Sequence, residues 1–384
     1  MKKSFLALAV AALAATSIST ASAATVYDKD GTSLAVYGRV QAVVYSDKTN
    51  NATFTGTDGT VEQNATAVGS GRLGFDMRTQ VYGDIAAFAK AEWDMSDGNN
   101  HKQFDARYMW IGFDFAQAGQ VKLGTFEPAI KYAIGQTDIF DDWGCTGLAG
   151  NDDKRESMVQ YSWSGNGFDV LASVELPGTG VHVDGAHELG EITDVDYGVA
   201  LALGYTSPDV VFGPIAVRAG YEKVEFADSV NNALGTKPNY TSIYDSYDQY
   251  AVGLSWGSLN LGPYVGAVYH EREFDVNSLQ AGTDGYNVSV TGYEFVVGYS
   301  FANGISARTG FLAQEYKQNE AKAEAKTVPV YVNWQLNPQV NVWAEASFDA
   351  GTDDDKTADG KNFAALAGGN YAENVFSAGV RYQF

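Results

Sequence analysis

Phe376-Ser377-Ala378-Gly379-Val380-Arg381-Tyr382-Gln383-Phe384 closes the 384-residue chain, and its reading decides the fold. Phe376, Ala378, Val380, Tyr382 and Phe384 alternate with Ser377, Gly379, Arg381 and Gln383. Successive side chains of an extended strand point to opposite faces, so a period of two gives one apolar and one polar face. One such strand suits a soluble sandwich, whose apolar face meets a core. It equally suits a membrane barrel, whose apolar face meets lipid and whose polar face meets a lumen.

The alternation recurs along the chain in segments of about ten residues, the repeated mark of a transmembrane barrel. Sixteen segments read as strands: 33–46, 70–82, 85–95, 104–116, 120–126, 155–164, 167–176, 194–206, 213–226, 246–256, 260–274, 288–300, 305–317, 326–336, 339–350 and 373–384. Tight reversals fall at Gly83-Asp84, Gln117 to Gly119, Gly165 to Gly167, Ser207-Pro208, Gly257-Ser258, Asn303-Gly304 and Asn337-Pro338, where Gly, Asn and Pro supply the special dihedrals. Long polar connections at 47–69, 127–154, 177–193, 227–245 and 351–372 alternate with them. Short turns on one side and long loops on the other suit an outer-membrane protein. An even strand count leaves both termini on the short-turn side. A ring of about 16 strands encloses water, where one of about 8 fills with side chains.

Residues 1–23 read as a signal peptide to be removed. Lys2 and Lys3 precede the apolar run Phe5 to Ala15, and Ala21-Ser22-Ala23 fits the small-residue cleavage rule. That run is shorter than the roughly 20 apolar residues a membrane helix needs, and no later stretch does better at a mean hydropathy of −0.19. A membrane chain without such helices must satisfy its backbone between the strands of a closed ring. Residues 24–384 are therefore expected to form one barrel domain. Aromatic residues at 13% favour strands, and only 8 prolines interrupt the ladders. The net charge of −22, more negative still without Lys2 and Lys3, repels nucleic acid and draws cations toward any pore it lines. Cys145 is the only cysteine, which excludes an intrachain disulfide.

The stretch ATVYDKDGTSLAVYGRV at 24–40 resembles the mature start of the general diffusion porins of Gram-negative bacteria, the trimeric enterobacterial type. GRLGFDMRTQ at 71–80 resembles that family's second strand, and GQTDIFDDWGC at 135–145 its third loop. The terminal RYQF resembles its last strand, whose final aromatic, here Phe384, is read by the barrel-assembly machinery. The likeness runs through the whole chain in order. It implies an outer-membrane homotrimer of antiparallel barrels of about 16 strands, set in lipid and lipopolysaccharide. Small hydrophilic solutes and ions would diffuse through each barrel, past a third loop folded inward.

The resemblance also implies basic wall residues facing acidic loop residues. Arg39 in VYGRV, Arg72 in GRLGF and Arg107 match the wall positions, and Leu73, Phe75 and Met77 have the parity opposite to Arg72. Arg155 matches an arginine entering the sixth strand. It shares its parity with Val159, Tyr161 and Trp163, so it points inward only if a bulge or a loop residue intervenes. Asp138 and Asp142 match the loop carboxylates. Two departures add negative charge: the family's Pro-Glu-Phe-Gly-Gly run reads Asp141-Asp142-Trp143-Gly144-Cys145, and the basic residue two positions before Arg107 is Asp105. Asp141 thus joins the acidic side of the constriction, and the pore is expected to prefer cations. Opposed fixed charges across a narrow gap order water and bias ion permeation.

Other candidates carry less. His182, Asp184, His187 and Glu188 match no zinc frame, and Asp353, Asp354, Asp355 and Asp359 lack the glycine and terminal glutamate of a calcium loop. No metal and no cofactor are expected. Cys145 has no histidine nearby to activate it, and Asn319 to Lys326 reads as a loop tip. A substrate-selective porin, for a sugar or other nutrient, would need a run of lumen aromatics, for which Tyr244, Tyr247 and Tyr250 are candidates. A non-conducting adhesion or structural barrel is a further class. An outer-membrane enzyme would need a Ser/His or Asp/His site that the 4 histidines do not offer.

Overall fold

The computed structural model describes residues 23–46, 66–95, 104–144, 148, 154–182, 192–227, 242–278, 285–318, 321–352 and 374–384. Within them the strands are β1 (Ala24–Lys29), β2 (Thr32–Tyr45), β3 (Thr66–Tyr82), β4 (Ile85–Met95), β5 (Asp105–Asp114), β6 (Gln120–Phe126), β7 (Arg155–Gly165), β8 (Phe168–Glu175) and β9 (Gly178–His182). They continue with β10 (Ile192–Val210), β11 (Gly213–Phe226), β12 (Ser242–Gly257), β13 (Gly262–Ser278), β14 (Tyr286–Ser300), β15 (Ile305–Gln318), β16 (Ala321–Asn337), β17 (Val340–Asp349) and β18 (Val375–Gln383). Each wall strand pairs antiparallel with the next, β8 pairs with β10, and β18 returns to β2. The result is a closed antiparallel barrel of 16 strands, with β1 and β9 as extra hairpin arms outside the ring count.

Closure is made by the two ends of the chain. Gln383 lies opposite Arg39 on β2, and Phe384 exchanges backbone bonds of 2.9 and 3.0 Å with Gly38. Ala24 then lies opposite Val36, so β1 begins along β2 where β18 stops. The reversal from β1 to β2 uses Asp30-Gly31 at φ 52° and 76°, the left-handed pair a two-residue hairpin needs.

Side-chain parity follows the expected period. On β18, Phe376, Ala378, Val380 and Tyr382 are exposed on the outer face, while Ser377, Arg381 and Gln383 are buried on the inner one. Outside, Tyr197 and Tyr205 on β10 flank Val199, Leu201 and Leu203, and Tyr250 and Trp256 on β12 flank Val252 and Leu254. Aromatic rings at two levels with an aliphatic band between them are what a bilayer selects, because amphipathic rings settle at its two interfaces.

Several readings need correction. The reversal expected at Ser207-Pro208 occurs at Val211-Phe212; Pro208 stays within β10 where the pairing with β11 shifts register, a place a proline is tolerated. The segment expected as a loop tip belongs from Ala321 onward to β16, paired residue by residue with β15. β1 and β9 were not expected as strands. Tyr247 is fully buried on the inner face and Tyr250 faces outward, so they form no row along the lumen; the Tyr244 side chain lies outside the described ones. Cys145, Asp184, His187, Glu188, Asp353, Asp354, Asp355, Asp359 and the His182 side chain also lie outside. Among the described residues no group could hold a metal ion.

Candidate functional site

The connection from β6 to β7 folds into the barrel. Among its described residues is a helical turn, α1 (Lys131–Ile134), whose buried side chains Ala133 and Ile134 are apolar. Ile130, Ala133, Ile134 and Leu148 pack on Ala251 and Val268, and Ala129 packs with Leu171, Ala200 and Ala202. Ile139 packs with Tyr264, Val296 and Leu312. Each isoleucine removed from water contributes about 1.5–3 kcal/mol. The wall makes room with glycines: a β-carbon at Gly220 would press on Ile130, one at Gly253 on Gln136 and one at Gly266 on the Gln136 carbonyl.

Hydrogen bonds fix the loop at both ends. At the root, the Ala129 amide donates to Ser173 Oγ (2.9 Å), and the Tyr132 hydroxyl donates to Asp169 (2.6 Å). Farther along, Thr137 donates to Glu294, Tyr264 to the Gln136 carbonyl (2.6 Å), and Arg308 to the Ile139 carbonyl. At the tip, Glu345 of β17 receives the backbone N–H groups of Asp141, Asp142 and Trp143 at 3.0, 3.0 and 2.6 Å. Asp141 accepts from Arg381 (2.8 Å) and Tyr331 (2.6 Å). Asp142 accepts from Tyr45 (3.0 Å), Trp343 (2.8 Å) and Ser377 (2.6 Å). Burial opposes ionisation of Asp141, but the Arg381 charge and the Tyr331 and Arg381 hydrogen bonds outweigh it and hold the carboxyl below its usual range. Asp138 lies 3.4 Å from Lys131.

The adjoining wall, β2 to β5, carries the arginines. Arg39 lies directly across the ladder from Arg72, and Arg72 across from Asp94. Arg72 reaches Asp94 at 2.8 Å, while Arg107 spans Glu92 at 2.9 Å and Asp94 at 2.8 Å. Three guanidinium groups at one level repel each other, and Glu92 and Asp94 offset that repulsion. Arg39 has no carboxylate at ion-pair distance among the described residues; Arg72, Arg381, Asp141 and Asp94 are its charged neighbours.

Arg155 is placed differently. A bulge at Ser157, at φ 58°, turns both Arg155 and Met158 inward, as an inward arginine requires. Its guanidinium is fully buried between Glu175 (2.6 Å) and Glu222 (2.7 Å), away from the Arg39, Arg72 and Arg107 group. Sequence reading missed Glu92, Asp94, Glu345, Tyr331 and Arg381. Only Arg381 had a usable signal, its inward parity on the last strand.

A closed barrel with an apolar belt, a charged lumen and an inward loop defines a class: a transmembrane channel. The Gram-negative porin family model matches residues 7–356, and the chain belongs to that family. It is 22% identical to the outer membrane porin PhoE of Enterobacter cloacae, over 100% of both chains. A solved structure of Salmonella typhi OmpF in complex with daunomycin superposes with a TM-score of 0.71 at 18% identity, covering 94% of this chain and 100% of that one. The trimer form of Vibrio cholerae OmpT gives a TM-score of 0.64 at 16% identity, covering 92% and 100%. The protein is an outer-membrane porin of the general diffusion kind, a channel and not an enzyme.

Proposed function

We propose that the pore passes small hydrophilic solutes with a preference for cations, at a constriction where Arg39, Arg72 and Arg107 face the loop carboxylates Asp138, Asp141 and Asp142. The observation that carries this reading is the charge around the aperture. With charged side chains bonded to the loop included, Arg39, Arg72, Arg107, Arg218, Arg308, Arg381 and Lys131 are outnumbered there by Glu92, Asp94, Asp105, Asp138, Asp141, Asp142, Glu294 and Glu345, in a chain of net charge −22. Fixed charge of one sign concentrates the opposite ion in a narrow aqueous gap. Reversal potentials across planar bilayers in a salt gradient test it. A cation-selective potential is expected, moving further that way in Arg39→Gln; an anion-selective potential in the unaltered protein overturns it. Arg155, enclosed by two glutamates, is left out of the constriction set.

Assembly as a homotrimer is part of the same proposal, supported by the likeness to a trimeric OmpT. A monomer-sized band on an unheated gel in mild detergent would oppose it. Removal of residues 1–23 rests on the cleavage pattern at Ala21-Ser22-Ala23, and the mass of the mature protein reads it directly. Phe384 as the signal for the assembly machinery, and lipopolysaccharide at the outer face, rest on the resemblance alone. The substrate-selective alternative predicts saturable block by one solute, and the adhesion barrel predicts no conductance.

A further inference from the structure

Below the arginines, toward the short-turn end, the lumen face of β2 to β6 changes character. Register places Tyr37, Glu92 and Tyr108 at the next level, then Asp76, Lys90 and Trp110, then Arg78, Phe88 and Lys122, with Arg78 paired to Asp114 at 2.7 Å. All four rings are partly exposed. The wall is recessed to receive them: the Tyr37 ring covers Gly74, and a β-carbon at Gly112 would stand 2.9 Å from the tip of Phe88. Phe88 meets Trp110 edge-on at 5.4 Å. Three ammonium groups sit among these rings, the third being Lys154 at 5.9 Å from the Tyr108 centroid. Lys90 lies 4.8 Å from the Tyr37 centroid and 5.7 Å from that of Tyr108, while Lys122 lies 4.0 Å from Phe126 and 5.5 Å from Trp110.

The carboxylates of this face are already engaged. Asp76 faces Lys90 at 3.7 Å, Glu92 receives Tyr37 and Arg107, and Glu127 receives Tyr108 and lies 3.7 Å from Lys154. Among the described residues Lys122 has no carboxylate at ion-pair distance; it rests on the Trp110 and Phe126 rings, with Glu127 and Lys90 as its charged neighbours. A cation over a ring is attracted more weakly than one paired with a carboxylate in the same partly dry setting. Sugars would call for vacant acceptors, which this face lacks. A bare inorganic anion would make no use of the rings. The combination fits a solute with a flat apolar body and one anionic group.

We propose that this face is a binding site for small aromatic carboxylates, with Lys122 and Lys90 taking the carboxylate and Trp110, Phe88, Tyr37 and Tyr108 taking the ring. The proposal rests on the reading of the barrel as an open pore, since solute reaches the site through the lumen. In a pore that favours cations, the site would retain a class of solute that the constriction disfavours.

The test is current block in planar bilayers by benzoate added on the short-turn side. Acetate serves as the charge without the ring, and benzamide as the ring without the charge. Benzoate is expected to interrupt the current in a concentration-dependent way, with acetate and benzamide far weaker. Lys122→Gln and Trp110→Leu should each weaken the block about tenfold, normalised to the variant's own open current. Equal block by benzoate and acetate, or benzoate block unchanged in both variants, overturns the proposal. Quenching of Trp110 fluorescence by benzoate in detergent, isolated by comparison with Trp110→Phe, needs no conduction. Quenching without conductance would therefore fault the pore reading alone, and conductance without quenching would fault the site alone. Heat-modified gel mobility shows whether each variant has folded.

Discussion

Replacing Glu345 by alanine should release the tip of the inward loop while leaving the barrel closed. Glu345 is buried on β17 and accepts three backbone N–H groups, from Asp141, Asp142 and Trp143, at 3.0, 3.0 and 2.6 Å. A buried donor deprived of its acceptor costs about 1–3 kcal/mol, so three would cost ~3–9 kcal/mol. Water entering the vacated volume recovers part of this, which leaves about 3–5 kcal/mol. At about 1.4 kcal/mol per tenfold, the equilibrium shifts toward the released tip by two to three powers of ten or slightly more, against the side-chain bonds to Asp141 and Asp142 that remain. The wall ladders do not involve the Glu345 side chain, so strand content should not change. Single-channel conductance should rise with added flicker, and liposome swelling should admit larger sugars. Glu345→Gln keeps one oxygen, able to serve two of the three donors, and should lie between the two. Unchanged conductance and an unchanged sugar cutoff in a folded Glu345→Ala variant would refute the tether.

Other outcomes follow from the same geometry. Asp141 is depressed in the folded state, so its contribution to docking is present above the unfolded carboxyl value of about 3.9 and is lost as pH falls through the lower folded value. The difference in conductance between the unaltered protein and Asp141→Asn should therefore hold steady through mildly acidic pH and close only in strong acid; its closing above about pH 5 would contradict the Arg381 pairing. Arg155→Ala leaves Glu175 and Glu222 buried without their cation, which should cost about 3–5 kcal/mol in thermal unfolding with little change in ion selectivity. Altered selectivity at an unaltered melting temperature would instead put Arg155 in the ion path. Gly38→Val puts a β-carbon 2.5 Å from the Arg72 carbonyl and 2.9 Å from the Phe384 ring, and should weaken the wall at its closing seam by about 1–3 kcal/mol, seen as a lower temperature for the loss of the folded band on gels.

The strands were legible because lipid on one side and water on the other impose a period of two that no other constraint competes with. β6 and β11 were read with the bounds the structure gives. The misses have physical reasons. Asn319 to Lys326 has helix-favouring Ala, Lys and Glu, yet the ladder to β15 prevails, with Lys322 bridging Glu315 and Glu324 at 2.6 Å each. The Asp30-Gly31 turn was a readable hairpin signal that the processing site beside it obscured. Within the site, the arginines could be found by parity and resemblance. Their partners could not, because Asp94 meets Arg72 and Glu345 meets the loop only once register and the loop path are set. The bulge at Ser157, which turns Arg155 inward, shows no sign in the residue types around it.

The meeting of β1 and β18 along β2 makes the wall a ring in which the hydrogen-bonded ladder is continuous and only the covalent chain is interrupted. The position of that interruption is then a matter of synthesis rather than of architecture. Fusing Phe384 to Ala24 and opening the chain at another short turn, such as Asn166-Gly167, would give a permuted protein with the same wall. Its last-made strand, and hence the order in which its edges find partners, would be different.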